Sequence, residues 1–203
     1  MSGSLAWILV SLGLLAVVVR RRSVAVGLVT AQALVLAGIA LAEADRTGDV
    51  AAAGALALRG VVLAALVLWI VSRTREPGPV RTGAAPLVRA GAAVALALTL
   101  TWLVPPIGLD SVESERAVLA LVAFGAVVVA TRRATLHQVL GIVLVENGLV
   151  LGAIELPGGA SPVIEAGVAF DLLLIAVVAV VFHTRIFAEF GAGDTTALET
   201  LRD

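Results

Sequence analysis

The sequence predicts an all-α polytopic membrane protein of about seven transmembrane helices, with its N-terminus outside and its C-terminus in the cytoplasm. Of its 203 residues 60% are hydrophobic, and the mean hydropathy is +1.08. A soluble domain of this length does not need so much apolar surface, because its exterior must face water. The charged residues, 14% of the chain, cluster between long apolar stretches instead of spreading evenly.

Seven apolar segments are bounded by charge, proline or glycine, and most approach the roughly twenty residues that cross the hydrocarbon of a bilayer. The first and the fifth are shorter and should stand nearly upright. We divide the chain into helices 1–5 (residues 1–131), a sixth and seventh helix (132–183) and a cytoplasmic tail (184–203). The predicted spans are residues 4–19, 23–43, 50–71, 86–106, 115–131, 134–155 and 162–183.

Arginine placement predicts the orientation. Most of the arginines, including Arg89 and Arg132, fall on one side of the predicted spans. Only Arg46 and Arg116 fall on the other, while Arg59 lies within a span. The arginine-rich side should be cytoplasmic. Arg20 to Arg22 follow the first apolar run, whereas the basic residues of a cleaved signal peptide precede it. We therefore expect a retained first helix.

Three ionisable residues share one predicted depth. Arg59, Glu146 and Asp171 each lie about nine residues from the outer end of their spans, roughly 13 Å into the bilayer. An unpaired charge there costs several kcal/mol, so such residues usually face one another or water. Glu146 is the main candidate for proton transfer, since a desolvated carboxyl near a cation can exchange protons at working pH. The alternative is a protonated glutamic acid that bonds a neighbouring helix or Asn147.

Four further residues complete the candidate set for proton transfer, and Gln32 is a fifth polar residue within a span. Asp171 has the same buried position as Glu146, with a shorter side chain. Glu165 is either a helix-terminal anion or part of a proton path. Arg59 cannot deprotonate usefully, so its role is either to bias a carboxylate or to form a static buried ion pair. His137 is a candidate relay, with an ordinary interfacial histidine as the alternative. For Gln32, an interhelical hydrogen bond is the simplest account.

The composition also excludes several functions. The chain has no cysteine and two histidines, so it cannot alone hold an iron–sulfur cluster, a nickel–iron centre or a thiolate zinc site. The net charge of −1 provides no basic field for nucleic acid. We expect no cofactor, no metal and no catalytic residue in this chain.

Three motifs follow Arg132. They are Glu146-Asn-Gly, then Glu165-Ala-Gly-Val-Ala-Phe-Asp171, then Asp194-Thr-Thr-Ala-Leu. With these motifs the chain resembles the E-type membrane component of hydrogenase-4, which is found in group 4 energy-converting hydrogenase and formate hydrogenlyase complexes. That component is similar to the small K-type membrane component of respiratory complex I and to the C-type component of Mrp antiporters. Gln32 and Arg59 extend the resemblance loosely over the whole chain.

The resemblance implies a non-catalytic subunit of a proton-translocating redox complex in the inner (cytoplasmic) membrane. Its partners would be antiporter-like membrane subunits, a redox module and membrane lipid. Glu146 and Glu165 would correspond to the glutamates of the K-type component on a lateral chain of charged residues. Their separation is shorter than the family pattern, which leaves Asp171 as an alternative second member. A stand-alone ion-coupled transporter and a structural spacer with permanently paired charges remain alternative functions.

Overall fold

The computed structural model describes residues 3–44, 47–74, 85–132 and 134–156, with Val177, Val181, Thr184 and Arg185. These residues form helices and connecting loops, and none of them lies in a strand. The all-α prediction is therefore confirmed for the described part of the chain. Its helices are α1 (Gly3–Val18), α2 (Arg22–Ala42), α3 (Thr47–Thr74), α4 (Pro86–Leu103), α5 (Val112–Thr131) and α6 (Thr135–Ile154).

Five of these helices, α2 to α6, are long and apolar enough to cross a membrane. In α3 the apolar span is Asp49–Trp69, and α1 is apolar but shorter. This is the architecture expected of a helical membrane protein. The six helices match the first six predicted spans closely. The seventh predicted span, which contains Glu165 and Asp171, and the predicted tail lie outside the described residues apart from four isolated positions.

Several helix ends differ from the predicted bounds by up to three residues, and two of these differences have a clear local cause. Helix α5 begins at Val112 because the Ser111 hydroxyl accepts a hydrogen bond from the Ser114 amide at 3.1 Å. The first turn then contains Glu113 and Glu115, whose charges favour a helix N-terminus. Helix α4 ends at Leu103 because the proline that follows Val104 disfavours helical geometry at that residue, which is extended.

The helices pack around a central group formed by α1, α2, α5 and α6. Helix α6 packs on α5 and α2, and α1 packs on α2 and α5. Helix α3 lies against α2, while α4 lies against α5 and α1. The spans of α3 and α4 are accordingly the least buried of the five.

The charges separate toward opposite ends of the helices. One end, here called the arginine end, contains the α1–α2 connection with Arg20 to Arg22, the start of α4 with Arg89, and the α5–α6 connection with Arg132. Arg132 ties this end together, since its Nη2 donates to the Val17 carbonyl at 3.1 Å and also to the Val19 carbonyl. The opposite, acidic end contains Glu43, Asp49, Asp110, Glu113, Glu115 and Glu155.

Helices α5 and α6 approach each other closely at glycines. A Cβ atom on Gly125 would lie 2.5 Å from the Gly141 carbonyl oxygen, and one on Gly141 would lie 2.9 Å from the Gly125 carbonyl oxygen. At Gly148 it would lie 3.0 Å from the Cβ of Leu121. Gly148 therefore also allows close helix approach, whereas a Cβ on Gly152 would make only ordinary contacts at 3.6 Å.

We expect Gly125→Ala to lower the free energy of unfolding by about 1–3 kcal/mol, because the added methyl group meets backbone that cannot move without separating α5 from α6. Denaturant titration of the purified protein in mild detergent measures this change. Gly27→Ala is the matched control, since a Cβ there has no neighbour within 4 Å. Equal stabilities for the two variants would contradict the close-contact account.

Candidate functional site

The candidate site lies at the middle of the apolar spans. Arg59 is at the midpoint of the Asp49–Trp69 span, and Gln32 is at the midpoint of α2. Glu146 and Asn147 are near the middle of α6. All four side chains are buried, although their helices are apolar on either side. Polar groups at this depth have little access to water, so they must satisfy one another.

Arg59 and Glu146 form a buried ion pair. The Arg59 Nη1 atom donates a hydrogen bond to Glu146 Oε1. The sequence places two carboxylates at the depth of Arg59. The structure brings Glu146 into contact with Arg59, whereas Asp171 lies outside the described residues. The second oxygen, Glu146 Oε2, is buried and has no hydrogen-bond partner within the described part of the chain. The ion pair therefore leaves half of the carboxylate available for another donor.

A chain of amide hydrogen bonds continues from the ion pair across the helices. Arg59 Nη2 donates to Asn147 Oδ1 at 3.0 Å. Asn147 Nδ2 donates to Gln32 Oε1 at 2.9 Å, and Gln32 Nε2 donates to the Leu9 carbonyl at 2.9 Å. The network thus joins α3, α6, α2 and α1 through side chains from one depth. Gln32 therefore makes the expected interhelical hydrogen bonding, with one bond to Leu9 of α1 and one to Asn147 of α6.

The chemistry of this network separates two roles. Arg59 stays protonated and the two amides have fixed donors and acceptors, so these three groups cannot exchange protons themselves. Glu146 is the only described member of the network that can bind and release a proton. The other members hold its Oε1 in place and fix the position of a positive charge beside it.

Two small cavities lie on either side of Arg59 along its helix. One, of about 20 Å³, lies toward the arginine end and is lined by Arg59, Thr30 and apolar residues of α2, α3 and α6. The other, also about 20 Å³, lies toward the acidic end, between Arg59 and apolar residues of the same three helices. Each volume is large enough for a single water molecule. Arg59 therefore separates two water-sized spaces between the same helices.

The remaining predicted residues fall elsewhere. His137 is not at an exposed interface but is 1% exposed in the first turns of α6, near the arginine end. It makes no hydrogen bond to the Arg59–Glu146 network, and neither of its ring nitrogens has a partner among the residues described. Glu165 and Asp171 lie outside the described residues.

Sequence reasoning missed three features of the structure. It named Asn147 only as a possible partner of its neighbour Glu146, whereas Asn147 is the central link of the network. It did not find the hydrogen bond of 2.8 Å from Ser114 Oγ to buried Glu155 Oε2 at the acidic end. It used Arg89 and Arg132 as orientation markers, although both are buried. Asn147 alone carried a usable signal, because it is a polar residue beside the buried Glu146.

The fold and this site define a helical membrane protein with a buried ionic network at the middle of its spans. Comparison with protein-family models, with curated proteins and with solved structures finds no match to this chain. Its function must therefore be argued from the geometry above and from the motif resemblance in the sequence.

We expect Gln32→Leu and Asn147→Leu each to lower the free energy of unfolding by about 1–3 kcal/mol, because each leaves a buried polar group without its partner. The double variant should lose less than the sum, with a coupling of about 1 kcal/mol. Denaturant titrations of the four proteins in detergent give the coupling. A parallel cycle of Gln32→Leu with Gln138→Leu is the control, since Gln138 bonds the Arg132 carbonyl instead. Strict additivity in the first cycle would refute the direct Asn147–Gln32 bond.

Proposed function

We propose that this chain is a non-catalytic membrane subunit of a proton-translocating redox complex related to complex I, of the hydrogenase-4 or formate hydrogenlyase type. It would contribute Glu146 to a lateral chain of charged residues, with Arg59 as the fixed cation that biases it. The proposal includes seven spans in the inner membrane, the arginine end in the cytoplasm, and antiporter-like subunits and a redox module as partners. Asp171, Glu165 and His137 remain proposed further members of the proton path.

The observation that carries this proposal is the buried Arg59–Glu146 ion pair at mid-span. A purely structural helix contact could be made from apolar residues at lower cost, because desolvating two charges offsets most of their attraction. Ionisable residues inside a membrane mark ion and proton pathways for this reason. The buried Glu146 Oε2, without a described partner, gives the carboxylate a position from which to exchange with a neighbouring group.

Two water-sized cavities lie beside Arg59, and Glu146 lines neither of them. A carboxyl at mid-span exchanges protons only through water or another titratable group within hydrogen-bond reach. Arg59 lies between the cavities, so its positive charge disfavours the passage of a proton directly from one to the other. A carboxyl held beside that charge would then pass its proton sideways to another subunit.

A structural spacer is the second candidate, and the direct contact between the two charges favours it. If Arg59 and Glu146 stay paired permanently, the network serves only to fix four helices in one arrangement. The two candidates predict different results when both charges are removed together. Removing both leaves no isolated charge in the membrane, so a spacer should still function, whereas a proton carrier should not.

We expect the double variant Arg59→Gln/Glu146→Gln to assemble with its complex but to abolish proton translocation coupled to the redox reaction. The paired replacement removes both charges and keeps hydrogen-bonding groups, whereas Glu146→Gln alone leaves Arg59 unpaired, which costs about 3–5 kcal/mol. Proton uptake by inverted membrane vesicles measures translocation, and native gel electrophoresis measures assembly.

Glu113→Gln is the matched control for this experiment. It removes one carboxylate from an exposed position at the acidic end, so translocation should stay at the level of the unmodified protein. An assembled double variant that translocates protons normally would rule out a proton-transfer role for Glu146 and establish the spacer.

We expect the tagged full chain to co-purify in mild detergent with antiporter-like membrane proteins and with iron–sulfur or nickel–iron proteins in fixed stoichiometry. Mass spectrometry of the eluted proteins identifies them. The variant Gly125→Ala, if it weakens the fold as expected, should reduce recovery of every partner together. Elution of the chain alone, or as an oligomer of itself, would exclude the subunit proposal and favour a stand-alone transporter.

A further inference from the structure

A second group of buried cations lies at the arginine end, away from the mid-span network. Arg89 is 0% exposed, and Arg132 and His137 are each 1% exposed. They come from three different parts of the fold, which are the start of α4, the α5–α6 connection and the start of α6. Arg132 and Arg89 both lie within electrostatic range of His137.

These side chains have many unused hydrogen-bond donors. All three guanidinium nitrogens of Arg89 are buried without a hydrogen-bond partner among the described residues. The same holds for Nε and Nη1 of Arg132 and for both ring nitrogens of His137. Buried polar groups are nearly always hydrogen-bonded in folded proteins. Several unpartnered donors in one region therefore indicate an acceptor supplied from outside these residues.

The charge of this region is also not balanced by any carboxylate of the residues that the structure describes. Burial, together with the neighbouring charges of Arg89 and Arg20, lowers the pKa of the Arg132 guanidinium to about 10. Every described carboxylate lies elsewhere, because Glu146 is at mid-span and the others are at the acidic end. An anion bound among these arginines would remove the repulsion between them.

The backbone adds to the same preference. Helices α4 and α6 both begin at the arginine end, and neither has a side chain that caps its first amides. Helix N-termini carry a partial positive charge and free N–H groups that favour anions. The structure thus combines these two uncapped helix starts with buried guanidinium and imidazole donors.

The surface beside Arg89 indicates what kind of anion this is. The residues before it on α4, Leu87 and Val88, are 83% and 63% exposed and apolar. The exposed apolar face continues along α4 through Leu98 and Trp102. A molecule with an anionic head at the end of the span and acyl chains along that face matches both the buried cationic donors and the apolar face of α4. A soluble anion would use only the cationic donors.

We propose that Arg89, Arg132 and His137 form a binding site for the phosphate of an anionic phospholipid headgroup, with the acyl chains along the exposed face of α4. A phosphate accepts hydrogen bonds from several donors and suits the forked guanidinium group. The phosphodiester of such a headgroup carries one negative charge over two oxygens, as a carboxylate does, so the acyl chains along the exposed face of α4 are what distinguish a lipid from a carboxylate ligand. The site takes up lipid at the end of the bilayer span, the depth at which headgroup phosphates lie.

The test uses the purified full chain in neutral detergent, with binding of phosphatidylglycerol and phosphatidylcholine followed by native mass spectrometry. We expect phosphatidylglycerol to bind in preference to phosphatidylcholine, and Arg89→Gln or Arg132→Gln to weaken its binding roughly tenfold. The matched control is Arg21→Gln, which removes an exposed arginine from the same end and should change binding less than about twofold.

Two results would overturn the proposal. One is an equal loss of phosphatidylglycerol binding in Arg21→Gln and in the two buried variants, which would reduce the effect to general surface charge. The other is displacement of the lipid by inorganic phosphate at equal concentration, which would assign the site to a soluble anion. If the buried variants fail to fold, loss of phosphatidylglycerol binding in Arg21→Gln would still assign the effect to surface charge, and phosphate competition with the unmodified protein would still test for a soluble anion.

Discussion

The rest of the described structure depends on the need to neutralise Arg59 at the middle of α3. A guanidinium at that depth carries five donors and a permanent charge, and the surrounding helices offer no bulk water. Glu146 supplies the charge, Asn147 accepts a second hydrogen bond, and Gln32 and the Leu9 carbonyl complete the chain. Helices α1, α2 and α6 must therefore present particular polar atoms to α3 at one common depth.

Close helix packing makes that arrangement possible. Glycines allow α6 to approach α5 until backbone atoms are almost in contact, which fixes the face of α6 that carries Glu146 and Asn147. In α1, a Cβ on Gly13 would lie 2.8 Å from the Leu121 side chain, so the missing side chain lets α1 lie close to α5. Apolar packing and the polar network therefore specify the same arrangement of helices, and each limits the positions that the other can adopt.

The sequence predicted helices well because a bilayer requires long uninterrupted apolar runs, and six of these runs appear as helices with ends displaced by a few residues. It predicted the depth of Arg59 and Glu146 because position along a helix follows from a fixed rise per residue. It could not predict which carboxylate Arg59 contacts, because contacts between helices depend on rotation and tilt, which residue counts do not give. The burial of Arg89 and Arg132 could not be predicted for the same reason. Arginines at the ends of spans resemble ordinary orientation signals until the packing of neighbouring helices is known.

The two cationic regions differ in how they are neutralised. At mid-span the chain supplies its own counter-ion, and the network is nearly complete, with Glu146 Oε2 and Arg59 Nε as its buried atoms without a hydrogen-bond partner among the described residues. At the arginine end the described chain supplies donors and positive charge but no carboxylate. The first region therefore already contains both charges, and its open carboxylate oxygen can take a proton or a donor from outside, whereas the second needs an anion. An acceptor that exchanges protons suits a proton path that crosses subunits. A fixed anion site suits attachment to the bilayer. The same helices can therefore position a proton-active carboxyl while bound lipid holds one end of them in place.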